Sequence, residues 1–245
     1  MATVDFSTVF SGQSCNLETL LTLLTGSLGT YNLALIPGNT GWVNPELTAT
    51  YVGGFSFSVP GNYTAVIPVG TKFLWTQTTD RFGVLKSSSF ASGNTTFVLI
   101  PNDTYPVANA AISNFRISYS DNPYGFPPYF LFTNQIAFTG FSANPTVVGM
   151  WTTRGRWMRI HIFNSSSGTS NSIDFQYSIP ITVASITGVI TGQRTFGADN
   201  GTNENNVYSY VGSGSTTIVV QRNGGLNAFT ASGAKGANVI IEAPF

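Results

Sequence analysis

Hydrophobic positions along this chain follow two periods. Near the start, in SCNLETLLTLLTGSLG, Leu17, Leu20, Leu21 and Leu24 recur at helical spacing. Ser14 or Asn16 is placed to cap, Glu18 lies in the first turn and Gly26 stops the run, so one short helix is predicted. Amphipathic spacing reports burial on one side. A helix covering a sheet edge or core is the plain reading, and a helix docking the chain to a larger assembly is the sharper one.

From FSFSVPGNYTAVIPVG onward the period falls to two. Phe55, Phe57 and Val59 alternate with Ser56 and Ser58, Phe73 and Trp75 with Leu74 and Thr76, and further strands read through FGVLKSSSF and TTFVLIP. Turn residues separate them at Pro60-Gly61-Asn62, Val69-Gly70, Asp80-Arg81, Ser92-Gly93-Asn94 and Pro101-Asn102-Asp103. Short, evenly spaced strands of this kind predict a small β-barrel or sandwich. PVANAAIS reads as a short helical turn or an irregular corner.

SYSDNPYGFPPYFLF carries too much Gly and Pro for a central strand or a helix interior, so a boundary is expected between Pro123 and Pro128. Its aromatics, Tyr124, Phe126, Tyr129 and Phe130, read as a plug between two β modules, or alternatively as a ligand platform. Alternation then resumes in IAFTGFSA, TVVGMWTT, GRWMRIHIFN, NSIDFQYSIPITV, VYSYVG, STTIVVQ and NVIIEAPF. No helical stretch intervenes, which predicts a jelly-roll-like antiparallel β-sandwich. The expected fold is all-β: an attaching or packing segment with the helix over 1–54, a small β module over 55–122, and the sandwich over 123–245.

Composition sharpens this picture. Of 245 residues 42% are hydrophobic, enough for cores, while only 8% are charged, against about a quarter in ordinary globular chains. Ten basic residues balance ten acidic ones, so nothing steers the chain toward nucleic acid or an anionic membrane. A polar but uncharged surface suits packing against neighbouring copies, where burying charge is costly. Cys15 is the sole cysteine, which excludes an intrachain disulfide or a multi-thiol metal site. No basic stretch followed by an apolar one opens the chain, and no apolar run is long enough to cross a bilayer. The expectation is a protein made in a cytoplasm, untargeted, with its sequons at Asn62, Asn94, Asn102, Asn164 and Asn200 unmodified.

Reactive chemistry is sparse. His161, in RIHIF, has no histidine partner and reads as a hydrogen-bonded strand residue. The carboxylates Asp80, Asp103, Asp121, Asp174, Asp199 and Glu204 share no local motif that would suggest a glycosidase pair. RTFGADNGTNENNVYS gathers Asp199, Asn200, Asn203, Glu204, Asn205 and Asn206; its spacing is not that of an EF-hand, and a long polar loop with an Asn-Gly turn explains it. As a loop tip on a β scaffold it is the expected recognition surface, with Asp199, Asn200, Asn203, Glu204 and Asn206 as its residues. Arg154, Arg156 and Arg159 interleave with Trp151 and Trp157, a pattern that can stack on bases or sugars; strand alternation puts Arg154 and Arg156 on one face and Arg159 on the other, so the cluster is not one patch and a strand with two exposed arginines is the preferred reading. No catalytic residue, cofactor or metal is expected.

The chain also resembles a known family. Gly70-Thr71-Lys72, Thr76-Gln77-Thr78-Thr79, Ser87-Ser88-Ser89, Ala108-Asn109-Ala110-Ala111-Ile112 and Asn122-Pro123-Tyr124-Gly125-Phe126-Pro127 resemble a module of tail-fibre and tail-appendage proteins of tailed bacteriophages. Ser167-Gly168-Thr169-Ser170-Asn171-Ser172, Ile179-Pro180-Ile181-Thr182 and the closing FTASGAKGANVIIEAPF are similar to the β-sandwich that often follows it. The resemblance spans roughly residues 55 to 245. It implies a non-enzymatic virion component made in the host cytoplasm and typically homotrimeric. Such a component contacts other virion proteins and, through loop tips, a host cell-surface glycan or protein. A capsid decoration protein cementing the head is the alternative.

Overall fold

A strand that alternates covered and open positions buries one face, as Ser56–Pro60 and Asn94–Leu99 do among the six strands of residues 50–118. The structure, a computed structural model, describes residues 40–192, 194–204, 207–222 and 229–245. The expected N-terminal helix and Cys15 lie outside the described residues. β1 (Thr50–Gly53), β2 (Ser56–Pro60), β3 (Lys72–Gln77), β4 (Thr79–Ala91), β5 (Asn94–Leu99) and β6 (Ser113–Ser118) form an antiparallel sheet in the order β1-β2-β5-β4-β3-β6. β4 pairs with β3 through its first half and with β5 through its second, with a register shift between Leu85 and Ser87. That irregularity bends the long strand and curls the sheet into a half-barrel.

Inside the curl, Phe57, Phe73, Trp75, Phe97 and Phe115 pack with ring centroids 5.1 to 6.1 Å apart. Buried Gln77 anchors the corner at PVANAAIS, which is irregular rather than helical. Its Oε1 accepts from Trp75 Nε1 (3.1 Å) and Ala108 N (3.0 Å), and its Nε2 donates to the carbonyls of Ala108 and Ala110. The β3–β4 reversal sits at Thr78, at φ +77°, and not at Asp80-Arg81, which are already part of β4. Asp80 instead accepts from Thr76 Oγ1 across the ladder at 2.7 Å.

The rest of the chain supplies β7 (Phe130–Leu131), β8 (Phe138–Thr139), β9 (Phe141–Ala143), β10 (Val147–Arg154), β11 (Trp157–Ser167), β12 (Thr169–Ser170), β13 (Phe175–Ser178), β14 (Val189–Thr191), β15 (Arg194–Asp199), β16 (Thr202–Glu204), β17 (Val207–Gly212), β18 (Thr217–Arg222) and β19 (Lys235–Pro244). A six-stranded sheet, β16-β15-β19-β11-β10-β7, and a five-stranded sheet, β14-β17-β18-β13-β8, enclose one core; β9 and β12 pair separately. The chain passes back and forth between the two sheets, giving the expected jelly-roll-like antiparallel sandwich. Trp151, Met158, Ile160, Ile162, Val239 and Ile241 from the first sheet meet Phe175, Tyr177, Ile218 and Val220 from the second.

The punctuated segment between β6 and β7 divides its aromatics. Phe126 and Phe130 join Phe82, Tyr105 and Trp151 in a chain of ring contacts between the half-barrel and the sandwich, the Phe130 and Trp151 rings stacking at 4.3 Å. Tyr124 and Tyr129 are exposed. Buried Lys72 donates to the Ser120 carbonyl at 3.0 Å and lies over the Phe126 ring. Burial lowers the pKa of its ammonium, partly offset by Asp121. Lys86 Nζ and Trp151 Nε1 add hydrogen bonds across the junction, to the Pro180 and Pro101 carbonyls.

Where the chain leaves β8 for β9, Gly140 adopts φ +86°, and an added Cβ would lie 2.5 Å from the Asp174 carbonyl oxygen. That oxygen and the Phe175 Cα, 3.1 Å away, are both backbone and cannot swing away. Gly140→Ala is therefore expected to cost about 1–3 kcal/mol in urea denaturation. Gly212→Ala, with nothing within 4 Å of its Cβ, should stay within about 0.5 kcal/mol of the parent.

Candidate functional site

The polar loop singled out in the sequence is a β15–β16 hairpin turning at Asn200-Gly201. Asn200 and Asn203 are exposed at its tip; Asn205 and Asn206 lie outside the described residues. Asp199 and Glu204 belong to a charged clasp between the two sheets. Lys235 Nζ, fully buried, sits 2.9 Å from Asp199 Oδ1 and donates to the Ser232 carbonyl at 2.6 Å. Arg222 reaches from the five-stranded sheet to Glu204 (2.7 Å) and Asp199 (3.8 Å). Thr230 completes the set, its N–H and hydroxyl both donating to Asp199, at 2.8 and 2.7 Å.

Burial by itself would raise the Asp199 pKa; the Thr230 N–H, Lys235 and the Thr230 hydroxyl outweigh it and hold the carboxyl below its ordinary range. Nearby, Asn164 Nδ2 donates to the Lys235 carbonyl and to the Tyr177 hydroxyl, tying the sheets a second time. Among the described residues, no three of His, Cys, Asp and Glu gather where they could hold a metal ion.

A second constellation lies on the outer face of the six-stranded sheet, and it corrects the strand-face expectation for the arginines. The two-residue turn Gly155-Arg156 makes β10 and β11 a hairpin, pairing Arg154 with Trp157 and Thr152 with Arg159. Arg154 and Arg159 therefore share the outward face with Trp157, while Arg156 is in the turn and donates through Nε to the Phe245 carbonyl. Trp151 is buried, whereas Trp157 is 55% exposed. A cleft of about 570 Å³ opens here, bordered by Trp157, Arg154, Arg159, Thr152, Asp121 and Glu242. Arg154 faces Asp121 at 3.6 Å and Arg159 faces Glu242 at 3.8 Å. Asp121 is fixed by the Gly155 N–H, which donates to its Oδ1 at 3.0 Å.

The same face becomes apolar away from the cleft. One cross-strand row runs Leu131, Met150, His161, Ile240, and the next runs Val148, Phe163, Asn238, Phe196. Leu131, Val148, Phe163 and Phe196 are exposed. His161, half-buried, has Nε2 2.7 Å from Asn238 Oδ1, so the polar pair in the middle of the patch is mutually satisfied. The sequence reading missed the cleft because it treated 151–159 without the hairpin; the Gly155-Arg156 dipeptide between two alternating runs was the available signal.

The clasp makes two linked predictions. Asp199→Asn leaves the Lys235 ammonium buried without its carboxylate and is expected to destabilise the chain by about 3–5 kcal/mol in thermal or urea unfolding. Because the folded-state pKa of Asp199 is depressed, its contribution is fully present above about pH 4 and is lost as pH falls through the folded value. The parent should therefore lose stability on acidification more steeply than Asp199→Asn, measured as denaturation midpoints from pH 7 to 3. No protein-family model, curated protein or solved structure matches this chain.

Proposed function

We propose that this chain is a non-enzymatic structural protein of a bacteriophage virion, a tail appendage or fibre component that assembles as a homotrimer and presents a host-recognition surface. The observation that carries the reading is the exposed apolar part of the outer face of the six-stranded sheet, away from the charged cleft. Its two apolar rows cross four to five strands, about 20 Å at the usual strand spacing, and a contiguous exposed patch of this kind marks an interaction site. The face sets no net charge against itself, so a second copy of the chain can cover it without like-charge repulsion. Two cores bridged by ring stacking and cross-sheet hydrogen bonds suit a rigid, repeated part of a particle. The resemblance of residues 55 to 245 to tail-appendage proteins supports the tail as its location.

Two measurements test the reading. Light scattering of the purified chain is expected to give a trimer mass, and Phe163→Glu with Phe196→Glu to give monomer with an unchanged far-UV spectrum. A monomeric parent at micromolar concentration would remove the self-association. Immunogold electron microscopy of phage particles should place label at the tail; label over the head would transfer the assignment to capsid decoration, and unlabelled particles would end both.

A further inference from the structure

We propose that the cleft at Trp157 is a carbohydrate site that takes a neutral hexopyranose, stacking its apolar face on the indole and gripping a vicinal pair of its hydroxyls. The inference names a ligand class for the recognition surface proposed above, yet it is read on the purified chain, so its failure and that of the virion assignment are separate results.

Trp75 and Trp151 are buried and hydrogen-bonded through their indole nitrogens, whereas Trp157 turns a large flat surface to solvent at the end of a paired strand. The C–H face of a pyranose is an apolar plane of matching size, and an exposed aromatic ring is a ready platform for it. Around the ring stand two pairs of opposite charges, Arg154 with Asp121 and Arg159 with Glu242. At 3.6 and 3.8 Å neither is a hydrogen bond, so each pair keeps donors and acceptors to offer. A hydroxyl both donates and accepts; of two neighbouring ones, the first donates to the carboxylate while the second accepts from the guanidinium.

Charge selects among ligands. The two arginines are matched by two carboxylates, so a phosphate, sialate or uronate would meet as much repulsion as attraction, and a nucleic-acid strand would lack the positive groove it needs. A neutral sugar meets neither problem. The cleft volume of about 570 Å³ lies in the usual range for small-ligand sites, roughly 300–1,000 Å³. The site is also held in shape before a ligand arrives: Thr152, Arg154, Trp157, Arg159 and Glu242 lie on paired strands, and Asp121 is pinned to the hairpin by the Gly155 N–H. Its Arg154–Trp157 row lies about 13 Å along the strands from the Met150 row and its Thr152–Arg159–Glu242 row about 7 Å, so the cleft adjoins the patch assigned to a second copy.

The test is an array of gluco-, galacto- and manno-configured oligosaccharides with sialylated and uronate-bearing counterparts, probed with the full chain and followed by calorimetry. At least one neutral oligosaccharide is expected to bind, with an affinity nearly independent of salt. Trp157→Ala should weaken it at least about tenfold and Asp121→Asn or Glu242→Gln several-fold, while Trp157→Phe retains most of it. Because these side chains are exposed or half-exposed, circular dichroism and melting temperature of the variants should match the parent. Binding of acidic glycans alone, equal binding by Trp157→Ala, or no neutral glycan bound would each overturn the proposal. So would Trp157 fluorescence that changes with protein concentration and not with sugar, which would give the cleft to a second copy.

Discussion

The ladder between β11 and β19 fixes more of this molecule than any other interaction. It runs from Trp157 opposite Pro244 to Asn164 opposite Ala237, and β10 and β15 extend it on either side. Side chains alternate strictly across a strand, so this register places Ile160, Ile162, Val239 and Ile241 in the core and Trp157, Arg159, Phe163 and Glu242 outside. A slip of β11 by one residue, with β10 following, would turn Arg159 and Arg154 into the sandwich and expose Ile160 and Ile162. That cost holds the register, and the register in turn creates both the apolar rows and the cleft on the outer face.

Charge is rare in this chain, and two of its clusters are used differently. At one end of the sandwich Lys235, Asp199, Arg222 and Glu204 are largely covered and close the gap between the sheets with direct and backbone-assisted contacts. Such a clasp adds less net stability than an apolar contact of equal size, but breaking half of it is severe. On the outer face, by contrast, Arg154, Asp121, Arg159 and Glu242 sit at distances and exposures where an ion pair contributes little to folding. Groups that contribute little to folding remain available for a ligand, which is why the proposed carbohydrate site is the outer cleft.

The half-barrel supports this arrangement from the side. Its β3 is covered on both faces, by the aromatic core on one and by the Tyr119-to-Tyr129 segment on the other, with Lys72 folded between them. Phe126 and Phe130 carry the packing through to Trp151, directly beneath the hairpin whose outer surface bears the cleft. Loading on that surface is thus met by continuous ring contacts.

The sequence by itself determined the fold class and much of the strand inventory, because period-two alternation with Gly, Pro and Asn punctuation is a local property that each stretch expresses without its partners. It also determined that Phe126 and Phe130 stand in a segment unfit for a central strand, and that His161 belongs to a strand. Turn positions at Asp80-Arg81 were displaced, since Thr78 can take the positive φ once β3 and β4 pair. Only the tertiary structure decided which carboxylate meets which cation. Asp199 and Lys235 are 36 positions apart and meet through β15 and β19, while Asp121 reaches Arg154 from a different module. Parity at Arg154 and Arg159 likewise depends on the reversal at Gly155-Arg156. Alternation is written residue by residue, but a site made by cross-strand register exists only after distant strands have chosen their partners.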